Sequence, residues 1–297
     1  MAPLRIENDA LAVTVAPHYG ARVTSLIDKA TGRDWLYPGE ESPETGEDAV
    51  YGAATAVGWD ECFPTVSVWD AGATAWGRRL RDHGDLWGRP WSIEDRSPTK
   101  LAASVQQPGA FRFARTLFLR GRTLHARYSV TNTGEVPLPY LWAQHALLAV
   151  APGERIDLPG GSAVSAAFLF RDGEHIPATT LAWPQAGGID FPLDTVQPAA
   201  ACFAGKFYVS GCERPLVSVG SAERGWLDIG WNETELGYLG LWLTYGGWHG
   251  VHHLAIEPTS APADHLGQAL ERGQAVIVPP GARRNWSITL TCRLPDG

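Results

Sequence analysis

The sequence predicts an all-β fold, a large sandwich or barrel of antiparallel strands with at most short helices, on three observations. Apolar and polar residues alternate with period two over many short runs, as they do where one strand face is buried. The chain carries 33 glycines and 22 prolines in 297 residues, roughly a fifth of its length against an average nearer 12%. That is a supply of turns rather than of helix interiors. The candidate strands follow one another at short, regular intervals with turn residues between them.

"LRIENDALAVTVAP" reads as a strand, a turn at Asn8-Asp9 and a second strand, a hairpin pattern. "ARVTSLIDKATGRDWLY" continues it, with "KATGRD" as the turn. "FRFARTLFLRGRTLHARYSVTNTG" gives two alternating strands around Gly121-Arg122. "YLWAQHALLAV", "ACFAGKFYV", "PLVSVGSAERGWLDIGW", "LGYLGLWLTY", "VHHLAIEP", "GQAVIVPPG" and "NWSITLTCRL" supply further strands. One short helix is expected in "APADHLGQALERG", with Gly273 as its stop. The longest irregular segment is "YPGEESPETGEDAVYGAATAVG", residues 37 to 58; an acidic loop of this length is usually functional or mobile. No linker tract and no repeat of fixed period divides the chain, so one domain over residues 1–297 is expected.

Composition excludes several function classes. The net charge is −8, and the one Arg-dense stretch, "GRRLRDHGDLWGR", is interrupted by acidic residues, so no nucleic-acid partner is expected. "MAPLRIENDALAVTV" has charges where a signal peptide needs an apolar centre, and no apolar run approaches the ~18 residues of a membrane span. The expectation is a soluble cytoplasmic protein, monomer or homodimer, with no membrane partner. Cys62, Cys202, Cys212 and Cys292 form no C-x-x-C pair, which argues against zinc and for reduced, structural thiols. His249, His252 and His253 lack the helical H-E-x-x-H spacing, and His252 and His253 point to opposite faces of a strand, so no metal is expected. With 13 tryptophans, most fill the core, and others are free to line a pocket that stacks on sugar faces.

Ionisable residues gather among aromatics and glycines in a few places. These are "GWDECFPTV" (58–66), "RDHGDLWGRPW" (81–91), the run around His145, and the run around Glu257. In a strand over 251–257, His253, Ala255 and Glu257 share one face and His252, Leu254 and Ile256 the other. Pro258 cannot donate to a ladder, so the strand is expected to end there. A carboxylate at such an end either opens into a pocket as a general base or pairs with an arginine at the rim.

As a set, "GWDECFPT", "DHGDLWGRPW", "LWAQHALLAVAPGERIDLP", "GLWLTYGGWHG" and "LAIEPTSAPADHL" resemble the aldose 1-epimerases, the galactose mutarotase-like proteins, in order and spacing across nearly the whole chain. The resemblance implies a large β-sandwich, the galactose mutarotase-like supersandwich, with a sugar in a cleft on one broad sheet. It implies isomerase activity that interconverts the α and β anomers of a hexose by acid–base ring opening and reclosure, with no cofactor and no metal. Glu257 then matches the general base, His145 the general acid and His83 the substrate-contacting histidine of the "HG" pair.

Further candidates contact the sugar in this reading. Trp87, Trp142 and Trp242 either stack on it or pack the core, and Asp60 and Glu61 either bind hydroxyls or cap a turn. The galactose mutarotases place a sugar-gripping aspartate between acid and base in sequence; here Lys206, in "FAGKFYV", stands where that residue is sought. A related branch acts on hexose 6-phosphates through arginines near "HG", and Arg89, with Arg78, Arg79 and Arg81, lies in a comparable place. The alternatives to a neutral-hexose mutarotase are therefore a hexose-6-phosphate enzyme and a non-catalytic carbohydrate-binding protein on the same fold.

Overall fold

A computed structural model describes residues 2–39, 46, 49–52, 54–70, 76–177, 181–232 and 234–296. Two large antiparallel sheets form a sandwich. One sheet has ten strands, in the order Leu4–Glu7, Leu11–Ala16, Arg22–Asp28, Trp59–Cys62, Ala143–Leu148, His252–Thr259, Tyr238–Tyr245, Phe203–Ser210, Ala163–Arg171 and Glu174–Ile176. The other has eight, in the order Arg155–Asp157, Leu216–Ser221, Gly225–Trp231, Arg283–Arg293, Thr123–Asn132, Phe111–Arg120, Lys100–Gln107 and Ser92–Ser97.

The strands form where the alternation is cleanest. Along Phe111–Arg120 every odd-numbered residue is buried and every even one is partly or fully exposed, so one face packs and the other meets solvent. The Asn8 turn is closed by its own side chain, whose Oδ1 accepts from the backbone N–H groups of Ala10 and Leu11 at 2.9 and 2.8 Å, the local bonding that favours Asn in turns. Gly121, at φ 52°, takes the left-handed position of the tight turn that pairs Arg120 with Thr123. The expected short helix spans Leu266–Glu271; His265 caps its start by accepting from Gln268 N–H. Gly273, at φ 67°, follows its end.

One continuous apolar cluster joins the inner faces of both sheets, where the Tyr128 and Trp286 rings stack on each other and each touches both Phe113 and Trp142. Buried in it is a polar strut between the sheets. Glu61 accepts from Arg115 Nη1 at 2.7 Å, from the Tyr128 hydroxyl at 3.0 Å and from Trp142 Nε1 at 3.0 Å. Burial pushes the Glu61 carboxyl up to about 7 against the pull of Arg115.

Two expectations change. The strand expected to stop at Pro258 runs from His252 to Thr259. The pairing with the Ala143–Leu148 strand passes from Ala143–Thr259 to Leu147–Ala255, so the proline, which has no N–H to donate, sits in a gap of that ladder. Asp60 and Glu61 cap no turn, because they lie inside the Trp59–Cys62 strand. Of the long irregular segment, residues 40–45, 47–48 and 53 lie outside the described residues. Among the described residues, no helix is long and apolar enough to cross a membrane.

Candidate active site

Since Glu61 faces the sandwich interior, its neighbours Asp60 and Cys62 turn to the opposite face of the ten-stranded sheet. That outer face carries the candidate site. Asp60 lies opposite His145 in register. The flanking pairs Ala143–Thr259 and Leu147–Ala255 put His145 and Glu257 at the same level on neighbouring strands. Glu257 lies opposite Gly240, and Gly240 opposite Tyr208. One row across the sheet thus runs Asp60, His145, Glu257, Gly240, Tyr208, and Lys206 sits in the next row, opposite Trp242.

This face of the sheet borders a cavity of about 230 Å³. Glu257, His145, His83, Lys206 and Trp242 all line it, as do Tyr51, Asp82, Phe168, Trp248, His253 and Asp264. A larger concavity of about 700 Å³ near Trp183 and Trp226 holds Arg155 and Asp194, which pair with each other at 2.5 Å. The smaller cavity, and not the larger one, is where acid–base groups converge.

Glu257 is buried. Its Oε2 is ion-paired and hydrogen-bonded to Lys206 Nζ, while Oε1 has no hydrogen-bond partner among the described residues. Lys206 Nζ also lies 3.7 Å from Asp264 Oδ1, which accepts from the Tyr208 hydroxyl at 2.6 Å. Burial opposes the charge of Lys206, but the carboxylates of Glu257 and Asp264 outweigh it and hold the ammonium above its ordinary range. Glycine at 240 makes the ion pair possible. A Cβ there would come within 2.9 Å of Glu257 Oε2 and 3.4 Å of Lys206 Nζ.

On the other side, His145 Nδ1 lies 2.8 Å from Asp60 Oδ1 and 3.1 Å from the Tyr51 hydroxyl. A ring nitrogen carries at most one hydrogen, and the shorter contact, to an ionised carboxylate, takes it. Burial works against the charge on Asp60, yet Arg22, 2.7 Å from its Oδ2, and His145 hold it down at about 2. Asp60 therefore stays ionised and fixes the tautomer and orientation of His145, leaving Nε2 for chemistry.

The His83-Gly84 pair owes its place to backbone geometry. His83 has φ 57° and Gly84 φ 72°, and a Cβ on residue 84 would fall 2.0 Å from the Phe63 carbonyl oxygen, so only glycine fits. His83 stacks on Tyr51 at 3.6 Å between ring centroids and meets the His145 ring edge-on at 4.8 Å.

Several expected contacts fall elsewhere. Asp60 lies behind His145 and does not line the cavity. Trp87 is fully buried, with its Nε1 donating to the Asp82 carbonyl at 3.0 Å and its ring against Tyr51. Trp142 belongs to the core. Arg89 lies outside the lining and donates to Gln107 Oε1 at 3.3 Å. Arg78 pairs with Asp85 and Arg79 with Asp70, while Arg81 lies over the Trp87 ring. Tyr51, Phe168, Trp248 and Asp264 were not singled out in the sequence. Asp264 lies within the "LAIEPTSAPADHL" stretch; Tyr51 sits in the irregular segment, where no periodicity marks it.

Cys62 Sγ and ring nitrogens of His83 and His145 lie within 4.8 Å of one another. Burial, with Asp60 adding to it, pushes the Cys62 thiol well up. A neutral thiol beside an imidazole already held by Asp60 is a weak donor set for a metal.

Neither a protein-family model nor a curated protein matches the sequence. Solved structures do match the fold. The Slr1438 protein of Synechocystis superposes with a TM-score of 0.71 at 17% identity, over 98% of this chain and 96% of its own. A galactose mutarotase related enzyme of Lactobacillus acidophilus gives 0.70 at 14% identity, covering 99% and 98%. The GalM/aldose epimerase homologue of C. elegans gives 0.67 at 15%, covering 98% of each chain. The chain has the galactose mutarotase-like fold.

Proposed function

We propose that the chain, acting as one domain, is a mutarotase of the aldose 1-epimerase type that interconverts the anomers of an unphosphorylated hexose. The observation that carries the reading is the placement of Glu257 and His145 side by side over one small cavity, each held by a partner of its own. Glu257 Oε1 takes the proton from the C1 hydroxyl as the C1–O5 bond breaks, and His145, protonated on Nε2, delivers a proton to O5. The open aldehyde turns about C1–C2 and recloses with the two groups exchanging roles. Each acid–base partner contributes ~10²–10⁴-fold in rate. His83 orients the anomeric region, and Trp242 and Phe168 offer apolar faces to the ring.

The charges at the cavity favour a neutral sugar over a 6-phosphate. Asp82, Glu257 and Asp264 face it with Lys206 as the sole Lys or Arg among the described lining residues, and Lys206 is already committed to two carboxylates. Anomer exchange measured by NMR saturation transfer across free hexoses, pentoses and hexose 6-phosphates tests the reading. Acceleration on a free hexose, abolished in Glu257→Gln with the fold intact, supports it; a bound hexose whose anomers exchange no faster than in buffer leaves a carbohydrate-binding protein.

A further inference from the structure

His253 is a titratable residue in the cavity wall to which the acid–base reading gives no role. It stands on the same face of its strand as Glu257 and lines the same cavity. It is fully buried, and neither ring nitrogen has a hydrogen-bond partner among the described residues. A buried polar group left unmatched costs free energy and calls for an explanation. The ring packs at 4.8 Å from Tyr37, next to an apolar cluster of Ala56, Leu147 and Ala255 flanked by Trp242 and Trp248. Glu257 lies four residues further along the strand, about 13 Å away at ~3.3 Å per residue. His253 therefore stands two rows of side chains from Glu257, with Trp242 and Lys206 in the row between.

We propose that His253 is a specificity-determining residue that hydrogen-bonds a ring hydroxyl across the pyranose from the anomeric carbon, at C3 or C4. The inference rests on the mutarotase reading and adds to it the part of the sugar that is selected. A neutral imidazole offers one donor and one acceptor, which a single hydroxyl satisfies at once. Burial, with His145 adding to it, pushes this histidine down to about 3, so the ring is uncharged and unsuited to an anionic substituent. Trp242 and Trp248 beside it supply the apolar surface against which C–H faces of the ring pack.

The test crosses substrate analogues with variants. Anomer exchange is measured on an accepted hexose and on its 3-deoxy and 4-deoxy forms, with wild type, His253→Phe and His253→Gln. Wild type is expected to lose roughly tenfold or more in kcat/KM on one of the deoxy sugars, as sites built to bond a hydroxyl do. His253→Phe, checked for folding by circular dichroism, should lose a similar factor on the parent sugar and no longer discriminate, while His253→Gln recovers part of the discrimination. Equal discrimination by wild type and His253→Phe would overturn the proposal. Sugar titrations followed by tryptophan fluorescence separate it from the parent reading. Discrimination in binding that vanishes in His253→Phe, with no anomer exchange in wild type, removes the mutarotase and keeps the hydroxyl subsite; binding that ignores both deoxy positions removes the subsite.

Discussion

Lys206 reaches Glu257 across an intervening strand, passing over Gly240. The two residues lie on the Phe203–Ser210 and His252–Thr259 strands, on either side of Tyr238–Tyr245, and the ammonium meets Oε2 because position 240 has no side chain. The carboxylate that would act as base is thereby held by one oxygen, while the other, Oε1, is buried with no hydrogen-bond partner among the described residues.

Gly240→Ala tests that geometry directly. The new methyl would sit 2.9 Å from Glu257 Oε2 and must push the pair aside. Position 240 is not among the glycines with positive φ, so the backbone accepts alanine and the fold is retained. Misplacing a reacting group by about 1 Å costs ~10²-fold; anomer exchange should fall by that order while the circular dichroism spectrum is unchanged.

Lys206→Met removes the counter-charge and leaves Glu257 buried among apolar and acidic neighbours. Breaking a buried pair from one side costs about 3–5 kcal/mol, read as a lower urea midpoint. Anomer exchange should fall as well, because the carboxylate loses the group that fixes its Oε2. Exchange as fast as in wild type would remove Lys206 from the machinery.

Asp60→Asn keeps the shape but loses the charge that fixes His145. We expect kcat to fall ~10²-fold or more, as tautomer control is lost, with KM little changed because Asp60 does not line the cavity. The stability profile should change as well. Asp60 is held at about 2 in the fold against roughly 3.9 in an unfolded chain. Its contribution is present above the unfolded value and is lost as pH falls through about 2. It amounts to about 2–3 kcal/mol. Thermal midpoints of wild type should drop through this window more steeply than those of the variant.

His253 gives a second acid-sensitive window at higher pH. Its folded value of about 3 lies below the unfolded ~6.5. The stability tied to its neutral form is complete above the unfolded value and declines as pH falls from there toward 3. Replacing it by Phe should flatten thermal stability between about pH 6 and pH 4, a change that differential scanning fluorimetry resolves.

Period-two alternation carried most of the architecture. It located the hairpin at Asn8, the turn at Gly121 and the shared face of His253 and Glu257, because each depends on residues close in sequence. What escaped it depends on contacts made across the sheet. Trp87 and Trp142 read equally well as sugar platforms or core, and only the packing of Trp87 behind Tyr51 and of Trp142 against Glu61 separates the two. Lys206 stood out in its strand, but its reach to Glu257 needs the register of three strands and a glycine in the middle one. Tyr51 carries no local pattern, since an irregular segment brings it to His83 and His145.

The Lys206–Glu257 pair also bears on how a ligand arrives. Opposite charges in contact cancel within a short distance, so little of the carboxylate's field extends to the mouth. Outside, the partly exposed Asp82 and Asp264 present weak negative potential that repels anions and leaves an uncharged solute unsteered. Encounter should then proceed by plain diffusion, and its rate should be indifferent to ionic strength, in contrast to the salt-sensitive capture of charged ligands.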